Sequence, residues 1–191
     1  MDEKELFKRA MAQATKVVSQ VSTADYKLST PDTEWNVRRL LKHMLYELSW
    51  TADIVRGATI AEVGDKYDGN LIGGNLTAAW RVAAKAAGQA IDRCDLSMVA
   101  HLSYADKTVA EYLKEAASDQ LIHSWDLGMA IGQKVDFDPA ITQLIYDDTL
   151  PNASTMSATG LFAPVVKVAD DASLQTKLLA LYGRDSGWQP V

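Results

Sequence analysis

The chain has 191 residues, 48% of them hydrophobic, and a formal net charge of −6, enough for one domain with a sizeable core. The acidic balance, with no basic run and no basic–aromatic interleaving, argues against nucleic acid as a partner. No apolar stretch approaches the ~18 residues that a membrane span needs.

The opening Met1-Asp2-Glu3-Lys4-Glu5 lacks the apolar core of a signal peptide, so a cytoplasmic location is expected. A single cysteine, Cys94, excludes an internal disulfide and reads as a small hydrophobe. The whole of 1–191 is read as one helical domain. Asp2 to Val21 predicts an amphipathic helix, with Leu6, Met11, Ala14, Val17, Val18 and Val21 near one face. Ser22 to Asp32 is a turn region, and Pro31 marks a break. A second helix is expected from Trp35 to Arg56, with Asn36 as N-cap and Gly57 as its stop. Its main core stripe is Val37, Leu40, Leu41, Met44, Leu48, Ala52 and Val55. A neighbouring stripe carries His43, Glu47, Trp50 and Ile54, while Arg38, Arg39, Lys42 and Asp53 fall on the far side and should be solvated.

Ala58 to Gly74 reads as a loop with one short turn, and Asn75 to Asp92 as an alanine-rich helix. Leu96 to Ala105 is a linker. Thr108 with Glu111 predicts a capping box that opens a long helix to Ile131, closed by Gly132. Phe137 to Asp148 is a shorter helix behind Pro139, Met156 to Val168 is apolar and irregular, and Asp171 to Tyr182 is a last short helix. Strand signals are almost absent. The expected fold is therefore all-α, a four-helix bundle with extra short helices toward the C-terminus.

The long helix holds the most informative motif, Asp119-Gln120-Leu121-Ile122-His123. At about 100° per residue, a carboxylate and a histidine at i and i+4 share one face, here the apolar one with Val109, Tyr112, Ala116, Leu127 and Ala130. An ionisable pair on a burial face needs a partner. A metal ion is one such partner; a histidine bonded to a backbone carbonyl and paired with the aspartate is the plain alternative. His43 on the second helix would add a third donor, making a three-ligand site with an open position. His101, in the linker, reads as a surface or locally bonded histidine. No phosphate loop and no Ser-His-Asp arrangement is legible.

Trp35-Asn36-Val37-Arg38-Arg39-Leu40-Leu41-Lys42-His43 and Asp119-Gln120-Leu121-Ile122-His123-Ser124-Trp125-Asp126-Leu127 resemble the DinB-like superfamily of metal-binding four-helix bundles. The nearest branch is that of the mycothiol-dependent maleylpyruvate isomerase N-terminal domain, with patterns like W-x-V-x-x-L-x-x-H and [DE]-x-x-x-H-x-W-D-L-A. The tail, Gly160-Leu161-Phe162 and Leu178 to Arg184, is similar to the end of that subgroup. The resemblance implies His43, Asp119 and His123 as metal ligands, with zinc the expected ion or another divalent metal such as nickel or iron. Two features depart from the isomerase, which has Glu at the position of Asp119 and a separate C-terminal domain for which this chain stops too early. Maleylpyruvate isomerisation is therefore not carried over. Gly128, where the pattern has Ala, reads as a minor change near a helix end.

Glu47, one turn beyond His43, is the candidate catalytic residue, as orienter of a bound water or acceptor of a thiol proton, with a rim salt bridge as the alternative. Trp50 and Trp125 could wall a pocket, though packing suits Trp125 better. A cap or salt bridge accounts for Asp126. The first functional expectation is a metal-dependent enzyme of the thiol-dependent transferase or isomerase type, acting on a small molecule with a low-molecular-weight thiol such as mycothiol. A metal-dependent hydrolase, a non-catalytic metal-binding module and a plain helical interaction protein are the alternatives. A homodimer is left open.

Overall fold

The computed structural model describes residues 1–33, 35–158 and 163–190. The first helix, α1 (Glu3–Val18), is opened by Asp2, whose carboxylate accepts the Glu5 N–H at 2.8 Å, with Glu3 and Glu5 in the first turn and Lys16 in the last. These charges suit the helix dipole at each end. Its buried residues, Leu6, Phe7, Ala10, Ala14, Val17 and Val18, recur at helical spacing.

Helix α2 (Val37–Ile54) starts where Asn36 accepts the Arg39 N–H at 3.0 Å, two residues later than expected from Trp35. Trp35 instead belongs to a tight approach loop. Ser29 and Asn36 form a β-bridge, the Val37 N–H donates to the Leu28 carbonyl, and the buried Thr30 hydroxyl lies 2.9 and 2.8 Å from the Asp32 and Trp35 carbonyls. A one-turn helix α3 (Ile60–Val63) sits in the long loop, with a Thr59–Glu62 capping box. Helix α4 (Leu76–Arg93) is capped by Asn75. Val99–His101 and Asp106–Thr108 pair antiparallel as β1 and β2, a hairpin in place of the expected linker. Helix α5 (Val109–Ala130) follows, with the Thr108–Glu111 capping box where it was expected.

Helices α1, α5, α2 and α4 touch in that order around the bundle, α4 returning to α1. α5 is buried on nearly every side, as the central member of a bundle must be. Leu41, Met44, Leu48, Leu113 and Leu121 are fully buried at its core, each adding about 1.5–3 kcal/mol by leaving water. Helices α6 (Pro139–Thr149), α7 (Ala153–Ala158) and α8 (Leu174–Leu181) complete the chain, and α8 packs on α6. No helix among the described residues is long and apolar enough to cross a membrane. Gly160, Leu161 and Phe162 lie outside the described residues.

Two expectations on single residues need correcting. Asp53 is not fully solvated: it is half-buried and accepts hydrogen bonds from Lys66 Nζ at 2.6 Å and the Tyr67 hydroxyl at 2.7 Å. Gly128 is not a minor change. A Cβ there would stand 2.2 Å from Val135 Cγ2 and 3.1 Å from the Gln133 carbonyl. The glycine lets the segment leaving α5 fold back against the helix.

Candidate metal centre

α2 and α5 pack side by side, and this brings three separated polar side chains to one point. His43 Nε2 lies 3.2 Å from Asp119 Oδ1, and His123 Nε2 lies 3.3 Å from the same oxygen. The two imidazole rings meet edge to face with centroids 4.9 Å apart. One ligand-type atom from each of the three residues falls within 4.8 Å of the others.

The buried half of the centre is tightly organised. His123 Nδ1 lies 3.0 Å from Asp126 Oδ2, and Asp126 is fully buried. A carboxylate only accepts, so His123 must carry its proton on Nδ1. Its Nε2 then turns toward Asp119. Asp126 is itself held by Arg184 from beyond α8: Nε donates to Oδ1 at 3.1 Å and Nη2 to Oδ2 at 2.9 Å. The same guanidinium reaches Asp32 at 3.0 Å and the Tyr182 carbonyl at 3.1 Å. Asp32, His123 and Asp126 also cluster closely enough for a metal, but the Arg184 guanidinium already bridges the two carboxylates.

These contacts set the protonation states. Burial opposes ionisation of Asp119, yet His123 and His43 outweigh it and hold the carboxyl far below its usual range. Burial likewise opposes a charged His123, but Asp119 and Asp126 push it up to about 10. Glu47 goes the other way. Burial and then the negative charge of Asp119 push it up to about 7, against the opposing pull of His43 and His123. A carboxyl so poised can both take and give a proton at neutral pH.

The donor set fits a divalent ion. Asp119 Oδ2 is buried and, among the described residues, has no hydrogen-bond partner, which costs free energy in a protein interior unless an ion or water meets it. Two imidazole nitrogens crowd the other oxygen of the same carboxylate. When both are deprotonated, that crowding of electron pairs calls for a cation among them.

Trp35 forms a wall, its ring centroid 4.7 Å from that of His43 and 5.7 Å from that of His123. Trp50 packs instead with Tyr46 and Tyr67, and Trp125 is buried. His101 sits on β1 with its Nδ1 2.9 Å from Asp106, bonded locally and apart from the centre. Cys94 is half-buried at the end of α4, and burial pushes its thiol up. Trp35 as a wall and Arg184 as a partner are not legible in the sequence, where Asp126 reads only as a cap or a salt bridge. The Ser124-Trp125-Asp126 run directly after His123 was the available signal for Asp126.

Over residues 7–133 the chain matches the family described as the mycothiol maleylpyruvate isomerase N-terminal domain. No curated protein and no solved structure matches it. The matched span contains His43, Glu47, Asp119, His123 and Asp126, while Arg184 lies beyond it.

Proposed function

The chain belongs to the mycothiol maleylpyruvate isomerase N-terminal domain family, and on that premise we propose that it is a metal-dependent enzyme acting on a small molecule with a low-molecular-weight thiol such as mycothiol. The carrying observation is the convergence of His43 and His123 on Asp119, whose second oxygen is buried without a partner among the described residues. His43, Asp119 and His123 would hold the ion, and zinc would suit two imidazoles and one carboxylate best. All of 1–191 serves as one domain. Maleylpyruvate isomerisation itself is not part of the reading.

A divalent ion in this site favours a thiolate over its thiol and polarises a carbonyl as a Lewis acid. The chain supplies the rest. Asp126 and Arg184 fix the tautomer and the tilt of His123. Trp35 covers both imidazoles on one side. Glu47, with its carboxyl raised to about 7, takes the proton from the thiol sulfur and returns it to product.

The test is to load the protein with cobalt and titrate it with mycothiol, bacillithiol and glutathione, watching for a sulfur-to-cobalt charge-transfer band. At least one thiol should raise the band, His43→Ala should abolish it, and Glu47→Gln should move its onset to higher pH. If cobalt binds and no thiol perturbs its spectrum, the enzyme reading fails in favour of a non-catalytic metal module. If the purified protein takes up no metal, both fail.

A further inference from the structure

The outer side of α2 does not simply face solvent. Arg38, Arg39 and Lys42 line an open cleft of about 370 Å³ together with Asn70 and Ile72, which is buried. Among the described residues no carboxylate lines this cleft and none of the three cations makes an ion pair. Gathering three like charges is unfavourable until an anion arrives.

Two of the cations are also held in place. Arg38 donates to Asn70 Oδ1 at 3.2 Å and lies over the Tyr26 ring at 5.4 Å. Arg39 stacks over Trp35 at 5.6 Å. Each guanidinium keeps further N–H donors in the planar fork that matches an oxyanion. Asn36 adds a polar side chain at the same rim.

The cleft also adjoins the metal centre. Arg39 precedes His43 by one helical turn, about 6 Å of rise. Trp35 neighbours both, its ring centroid 5.6 Å from the Arg39 guanidinium carbon and 4.7 Å from that of the His43 ring. A molecule with its anionic end among the cations would reach the centre by passing around this indole ring.

We infer that this cleft binds the anionic end, a carboxylate or a phosphate, of the small molecule that reacts at the neighbouring centre. What the other end of that molecule does rests on the metal-enzyme reading; the anion site does not.

The experiment is calorimetric titration of the chelator-treated full chain at low ionic strength, so that no metal can take the anion. The probes are inorganic phosphate and succinate. At least one should bind saturably, and the preferred probe tells a phosphate site from a carboxylate site. The exposed pair Arg39→Gln/Lys42→Gln should weaken binding at least tenfold. Lys134→Gln, whose lysine pairs with Asp136 elsewhere, should leave it unchanged. His43→Ala should lose metal and keep the anion, which separates the two claims: a wild type that binds phosphate but never metal sinks the enzyme reading alone. No saturable binding of either probe, or equal binding by the Arg39/Lys42 variant, overturns the inference.

Discussion

Arg184→Met should destabilise the metal-free protein by about 3–5 kcal/mol, the cost of breaking a buried ion pair from one side. The side chain is only 9% exposed and Asp126 is 0% exposed. The guanidinium gives Asp126 three contacts at 2.9, 3.1 and 3.3 Å, and gives Asp32 and the Tyr182 carbonyl one each. Methionine keeps much of the aliphatic stem but offers no donor, so Asp126 is left in the interior with only the His123 N–H. Most of the loss is the stranded charge rather than the lost attraction. Adding Asp126→Asn to Arg184→Met removes that charge, and the double variant should recover at least about 1 kcal/mol over Arg184→Met alone. Urea unfolding followed by circular dichroism, with the m-value checked for constancy, measures all four proteins of the cycle. An Arg184→Met protein within about 1 kcal/mol of wild type, or two substitutions whose costs simply add, would refute the reasoning.

Asp126→Asn alone should weaken metal binding about 10- to 100-fold, or about 1.4–2.7 kcal/mol, because His123 loses the carboxylate that orients it; competition against a chromophoric chelator reads this out. Burial resists a charged His123, but Asp119 and Asp126 hold its proton up to about 10. That proton stabilises the metal-free fold fully below the ordinary imidazole pKa and is lost as pH rises toward 10. The ion must displace it, so apparent metal affinity should climb about tenfold per pH unit from neutrality upward, and a flat profile would contradict the assignment. After dialysis His123→Ala should retain almost no metal and His101→Ala the wild-type amount; equal retention would remove His123 from the ligand set. Gly128→Ala should cost about 1–3 kcal/mol through its clash with Val135, measured by thermal unfolding.

The helices were legible because their signals are local. Asn36 and Thr108 announce their caps by residue type, and the capping box at Glu111 needs only three residues of context. Asp119 and His123 share a face by helical geometry alone, and His43 joined them through the family-like spacing. The β1–β2 hairpin was not legible, since three residues a side carry too little alternation to register. Trp35 reaches the imidazoles only because Thr30 and the Ser29–Asn36 bridge fold the approach loop, a tertiary effect. Arg184 finds Asp126 across 58 positions of chain, a distance no local pattern spans. Arg38, Arg39 and Lys42 read correctly as an outward face, but the loop that turns this face into a cleft comes from 69–72.

The reach of Arg184 bears on the order of events during synthesis. A ribosome delivers His43, Asp119 and His123 before it delivers the guanidinium that clamps Asp126, and chains begin to fold from the end that emerges first. An ion entering early would meet the whole proposed set of donors on an unfinished backing, and would exchange readily. Once α8 docks and Arg184 seats, the imidazole loses its freedom to swing away. On the proposed metal reading, escape of the ion from the mature protein would then wait on local undocking of the tail, an opening far smaller than global unfolding. On that reading loading would be easiest while the polypeptide is young, and retention would be a property it acquires last.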